Sequence, residues 1–143
     1  MARTQATVVA LARDASAAAT ANSAHAAGDY VQVVNANLTA QNIGKLLIVA
    51  TNGGASSITV TVRAAGNGVD TNGNTQPAVN PANAVFTQAT TGDLNVTIGA
   101  GATVAMGPFT SGRFGQPDGN LYLDWSAVTS VTFTVYQLPF NKV

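Results

Sequence analysis

The chain has 143 residues, with six Lys or Arg against six Asp, no Glu, one His, no Cys and a formal net charge of zero. Its charged content of 8% is about a third of the usual share. The scattered cations exclude a phosphate-binding stripe, and the missing Cys excludes disulfide staples, thiolate zinc sites and cysteine nucleophiles. A chain of this length suits one domain, and near-zero charge promotes association, so work within an assembly is expected.

In chain order, residues 3–12 alternate weakly, and Thr7, Val8, Val9 and Leu11 suit a strand. The apolar stretch there is broken by Arg13-Asp14 and is shorter than the roughly 7 residues of a secretion signal, which predicts an uncleaved, intracellularly made chain. Nothing approaches the roughly 20 apolar residues of a membrane helix. Residues 14–27 turn to Ala, Ser, Thr and Asn. They suit a helix capped by Asp14 or Ser16, or an extended arm, and the lack of large apolar residues to dock favours the arm. Gly28-Asp29 punctuates the chain before Tyr30, Val31, Val33 and Val34, a further strand.

Residues 43–63 form the clearest piece of fold. Leu46, Leu47, Ile48 and Val49 run apolar without a break, as in a strand covered on both faces, whereas Ile58, Val60 and Val62 alternate with Thr59, Thr61 and Arg63. Asn52, Gly53 and Gly54 between them read as the turn of a hairpin. Residues 64–83 are dense in turn formers and offer one contact region. Strand signals return at residues 84–88, at Leu94, Val96 and Ile98, and at residues 103–106 after Gly99-Ala100-Gly101. In the glycine-rich connection that follows, Phe109, Arg113 and Phe114 either form an exposed contact patch or cap one end of the core. Leu121, Leu123 and Trp125 then alternate with Tyr122, Asp124 and Ser126, and Val131, Phe133 and Val135 alternate with Thr132, Thr134 and Tyr136. These segments, about eight strands, predict an all-β, antiparallel β-sandwich, jelly-roll-like, with an N-terminal arm over residues 1–27 and a sandwich domain over 28–143. Trp125 and Phe133 are expected to anchor the space between the sheets.

Chemistry is scarce. His25 is the only histidine and lies in the low-complexity arm, where a surface role is expected. Asp118-Gly119 reads as a turn, Asp124 as a solvent-facing strand residue, and the Asp70 segment lacks the closing ligand of a calcium loop. Neither an enzyme nor a cofactor nor a metal site is expected.

The start Met1-Ala2-Arg3-Thr4 leading into a weak strand, then Ala27-Gly28-Asp29, Gly44-Lys45-Leu46-Leu47-Ile48-Val49 with Asn52, Gly107-Pro108-Phe109 and Gly119-Asn120-Leu121-Tyr122-Leu123-Asp124 resemble small virion proteins of tailed bacteriophages, in particular head decoration or cement proteins. The resemblance spans most of the chain. It implies a virion protein on the outer capsid surface, made in the host cytoplasm, that clamps neighbouring copies of the major capsid protein, commonly as a homotrimer and without direct contact to nucleic acid or membrane. It also implies that the arm reaches a neighbouring subunit. The candidate partner-binding residues are thus Arg3, Thr4, Val8, Leu11 and Arg13 on the arm, with Phe109, Arg113 and Phe114 in the glycine-rich connection. The alternative is a tail or baseplate β-sandwich module, or a carbohydrate-binding one, with a groove lined by exposed Tyr30, Tyr122 and Trp125.

Overall fold

The computed structural model describes residues 2–32, 44–64, 93–109, 111–116 and 118–139. The strand residues expected at 33–34 and 84–88, and the loop expected at 65–83, lie outside them. The described elements are β1 (Thr4–Gln5), β2 (Val8–Ala10), β3 (Asn22–Ser23), β4 (Asp29–Val31), β5 (Leu46–Asn52), β6 (Ile58–Val62), β7 (Leu94–Ile98), β8 (Thr103–Met106), one short helical turn α1 (Ser111–Phe114), β9 (Leu121–Trp125) and β10 (Val131–Gln137).

Two mixed sheets pack face to face as an all-β sandwich. Sheet A runs β1-β4-β9-β6-β7, and sheet B runs β2-β10-β5-β8 with β3 also against β10. The jelly-roll refinement is not defined by the described strands. Their pairs are antiparallel except β1 with β4 and β2 with β10. The first joins segments about 25 residues apart and the second joins β2 to the last described strand, and no βαβ crossover announces either in the sequence.

The expected hairpin is an arch. β5 pairs with β10 and β8 in sheet B, while β6 pairs with β7 and β9 in sheet A, so residues 53–57 carry the chain from one sheet to the other. Asn-Gly-Gly suggested a tight turn because such residues accept positive φ. Neither Gly53 nor Gly54 has positive φ, however; among the described residues the glycines that do are Gly28, Gly101, Gly107 and Gly119. The connections from β7 to β8 and from β9 to β10 cross between sheets in the same way. The strand orders 9-6-7 and 10-5-8 therefore stack three arches side by side.

Asn52 holds that stack. It is fully buried at the end of β5. Its Nδ2 donates to the carbonyls of Ser56 (2.8 Å), Ile98 (3.1 Å) and Gly99 (3.2 Å), while its Oδ1 accepts from Gly54 N at 3.0 Å. Two arches are thereby tied by one amide, which satisfies backbone carbonyls that the turns would otherwise bury unpaired.

The alternation of β6 and β10 gives the expected inner faces, Ile58, Val60 and Val62 opposite Val131, Phe133 and Val135. β5 departs from expectation. It alternates buried with half-buried positions, so Leu47 and Val49 sit on the outer face of sheet B and are not enclosed from both sides. Trp125 and Phe133 meet between the sheets with ring centroids 5.0 Å apart, as expected.

The N-terminal segment is extended, and its strands join both sheets. β1 pairs with β4 in sheet A; the chain then crosses to sheet B, where β2 lies along Val135–Gln137 and β3 along Thr132 and Phe133 of the same strand. The two short strands act as one interrupted edge. Asn22 closes the interruption, its Oδ1 accepting from Thr7 N at 2.7 Å and its Nδ2 donating to Thr7 O at 3.1 Å.

Candidate contact surface

Among the described residues, most charges are engaged with partners within the chain. Arg3 is 5% exposed and lies across sheet A, its Nη1 donating to Asp124 Oδ1 at 2.5 Å and to Leu123 O at 2.9 Å. Its guanidinium carbon sits 4.7 Å from the centroid of the Tyr122 ring. Asp124 Oδ2 is 3.3 Å from Arg63 Nε, and Arg63 Nη1 is 3.1 Å from Asp93 Oδ2. Asp93 also accepts from Ala64 N, and its backbone carbonyl accepts from Arg113 Nη2 at 3.2 Å. A continuous line of alternating charge thus crosses sheet A from β1 to the start of β7.

Asp29 is a second internal anchor that sequence reading missed, having taken it as part of a turn. It is 1% exposed on β4. Its Oδ1 contacts His25 Nδ1 at 2.7 Å, and its Oδ2 accepts from Trp125 Nε1 at 2.8 Å and from His25 N at 3.1 Å. The half-exposed His25 ring is therefore a lid over a buried carboxylate, which gives the expected surface histidine a structural partner.

The candidate residues separate by burial. Arg3, Phe109 and Phe114 are buried; Val8, Leu11 and Arg113 are half-buried; Thr4 and Arg13 are exposed. Phe109 and Phe114 meet edge-to-face at 5.8 Å and belong to the core, so the capping alternative describes them and the exposed patch does not. Arg113 stacks over Phe114 at 4.6 Å. Arg3 is committed to contacts within its own chain. Leu11 binds the edge of β10 through its backbone, Leu11 N to Gln137 O at 2.9 Å. In the groove expected for carbohydrate, Tyr122 is fully buried and Trp125 is 9% exposed, which leaves Tyr30 as the half-exposed member.

Among the described residues, the central rows of sheet B's outer face carry no charge, and Lys45, in phase with Leu47 and Val49, stands just beyond them. Three rows cross that face. Val9, Tyr136 and Leu47 stand in register, followed by Thr134, Val49 and Ala105, and then Thr132, Thr51 and Thr103. Apolar side chains fill one end and threonines the other, where Thr51 and Thr103 hydroxyls meet at 2.8 Å. Among the described residues, only Arg13, Asp14 and Lys45 carry a charge outside an internal hydrogen bond or ion pair.

Among the described residues no group of three or more His, Cys, Asp or Glu is placed to hold a metal ion, and no helix is long and apolar enough to cross a membrane. Compared with known protein families, curated proteins and solved structures, the chain matches none.

Proposed function

We propose that this chain is a structural, non-enzymatic virion protein of the head decoration type. It attaches to the outer surface of a phage capsid, clamps neighbouring copies of the major capsid protein, and clusters as a homotrimer after synthesis in the host cytoplasm. The jelly-roll form of the sandwich belongs to this reading. The observation that carries it is the outer face of sheet B, on which no charged side chain interrupts the three rows of Thr, Val, Leu, Ala and Tyr. Such a face associates by packing and hydrogen bonding, with little dependence on salt. Many copies on a regular shell gain avidity from simultaneous attachment, so no copy needs a deep pocket or a strong charge. The exposed residues 12–21, which include Arg13 and Asp14, join β2 to β3 at the edge of the same sheet.

Negative-stain images of expanded phage heads mixed with the purified chain test this reading. Regular protrusions on the shell are expected; bare shells at saturating protein would contradict it.

A further inference from the structure

Where the chain passes from sheet A to sheet B it leaves a cleft of about 360 Å³, lined by Gln5, Ala6, Thr7, Val8 and Gln32. That volume falls at the lower end of small-ligand sites, about 300–1,000 Å³. The backbone around it is already engaged. Gln5 stands in register with Tyr30, Ala6 N donates to Tyr30 O at 2.9 Å, and Asn22 takes both the N–H and the carbonyl of Thr7. What faces a ligand is therefore side chain, on a fixed frame.

Those side chains form a directed relay. Tyr30 Oη donates to Gln5 Oε1 at 3.2 Å, and Gln5 Nε2 donates to Gln32 Oε1 at 3.1 Å. One N–H of Gln5, both of Gln32 and the Thr7 hydroxyl remain to be satisfied by water or a ligand. Among the described residues, no charged side chain lines the cleft. A phosphate, carboxylate or ammonium entering it would be desolvated without a countercharge, whereas hydroxyl groups, which both donate and accept, match amides and a threonine. The half-buried Tyr30 fixes the Gln5 amide through its hydroxyl.

We propose that this cleft binds a neutral saccharide, held by the amides of Gln5 and Gln32 and the hydroxyl of Thr7. The inference does not depend on capsid attachment, since the cleft stands at the sheet crossing and not on the outer rows of sheet B.

The test is saturation-transfer NMR on the full chain with millimolar maltotriose, cellotriose and chitotriose, and with glucose 6-phosphate as the charged counterpart. Transfer from at least one neutral trisaccharide and none from the phosphate is expected. Each lost amide should weaken binding by about tenfold, read on Gln32→Ala and on the Gln5→Ala, Gln32→Ala double variant. Trp125 emission and the melting temperature check that both stay folded. If the double variant unfolds, Gln32→Glu replaces it, since it removes both free donors while keeping the side-chain volume. Absence of transfer from all three trisaccharides, equal transfer from the phosphate, or binding unchanged in the folded variants would overturn the proposal.

Discussion

The guanidinium of Arg3 lies 2.5 Å from the carboxylate of Asp124, 121 positions further along the chain. Gly28 makes this approach available. A Cβ at Gly28 would stand 2.2 Å from Arg3 Nη1 and 2.6 Å from Asp124 Oδ1, and its φ of +84° is left-handed. Gly28→Ala combines a left-handed backbone cost with displacement of the buried Arg3 guanidinium from a partly exposed Asp124, and should destabilise the chain by about 2 kcal/mol. Urea unfolding measures the loss. Trypsin should also cleave after Arg3 faster in the variant than in the parent; equal midpoints and equal cleavage would show that the contact contributes nothing.

Asp29 carries three donors on one buried carboxylate, among them the indole of the single Trp. Asp29→Ala should cost about 3 kcal/mol, because Trp125 Nε1 and His25 N are left without their acceptor. The emission of Trp125 should shift with it. His25→Ala removes only the half-exposed partner and should cost about 1 kcal/mol, with Trp125 emission retained. An emission shift of the same size in both variants would contradict this division.

Asn52 faces three carbonyl oxygens within 3.2 Å. Asn52→Asp keeps its shape but sets a carboxylate against them, at an expected cost of about 3 kcal/mol or more. Thermal melting should fall by roughly 6–12 °C. A melting temperature within a degree or two of the parent would mean that the arches do not rely on this amide.

Period-2 alternation makes the sandwich legible in the sequence, because β6 and the first five residues of β10 bury every second residue. The arches are not legible in the same way, since a chain reversal looks alike whether it stays in one sheet or crosses to the next. The available hint was Asn52 itself, a polar residue on the inward phase of β5 next to the turn. Tyr122 shows a different limit. Alternation places it on the outer face of sheet A with Asp124, and so it is, but Arg3 from the other end of the chain covers it. Phe109 and Phe114 were ambiguous because loop aromatics serve cores and interfaces alike. The charge line across sheet A appears in the sequence only as scarcity, and the Gln5 and Gln32 relay gives no pattern, because its members meet through parallel strand pairing.

The core role of Phe109 and the peripheral role of Arg113 should separate in mutants. Phe109→Ala should cost about 3–5 kcal/mol, whereas Arg113→Ala, whose losses include its stack on Phe114 and its hydrogen bond to Asp93 O, should cost about 1–2 kcal/mol. Chemical denaturation of both proteins decides; the reverse ranking would contradict the core assignment.

Co-sedimentation with expanded phage heads, at low and at high salt, tests the central claim most directly when the parent is run beside Val49→Lys. Val49 is half-buried at the centre of the uncharged rows of sheet B, so a lysine there alters the face while leaving the inner core untouched. The parent is predicted to pellet with the heads at both salt concentrations, and Val49→Lys to stay in the supernatant with its unfolding midpoint retained. A parent that fails to pellet, or a Val49→Lys variant that pellets equally well, would contradict attachment through this face.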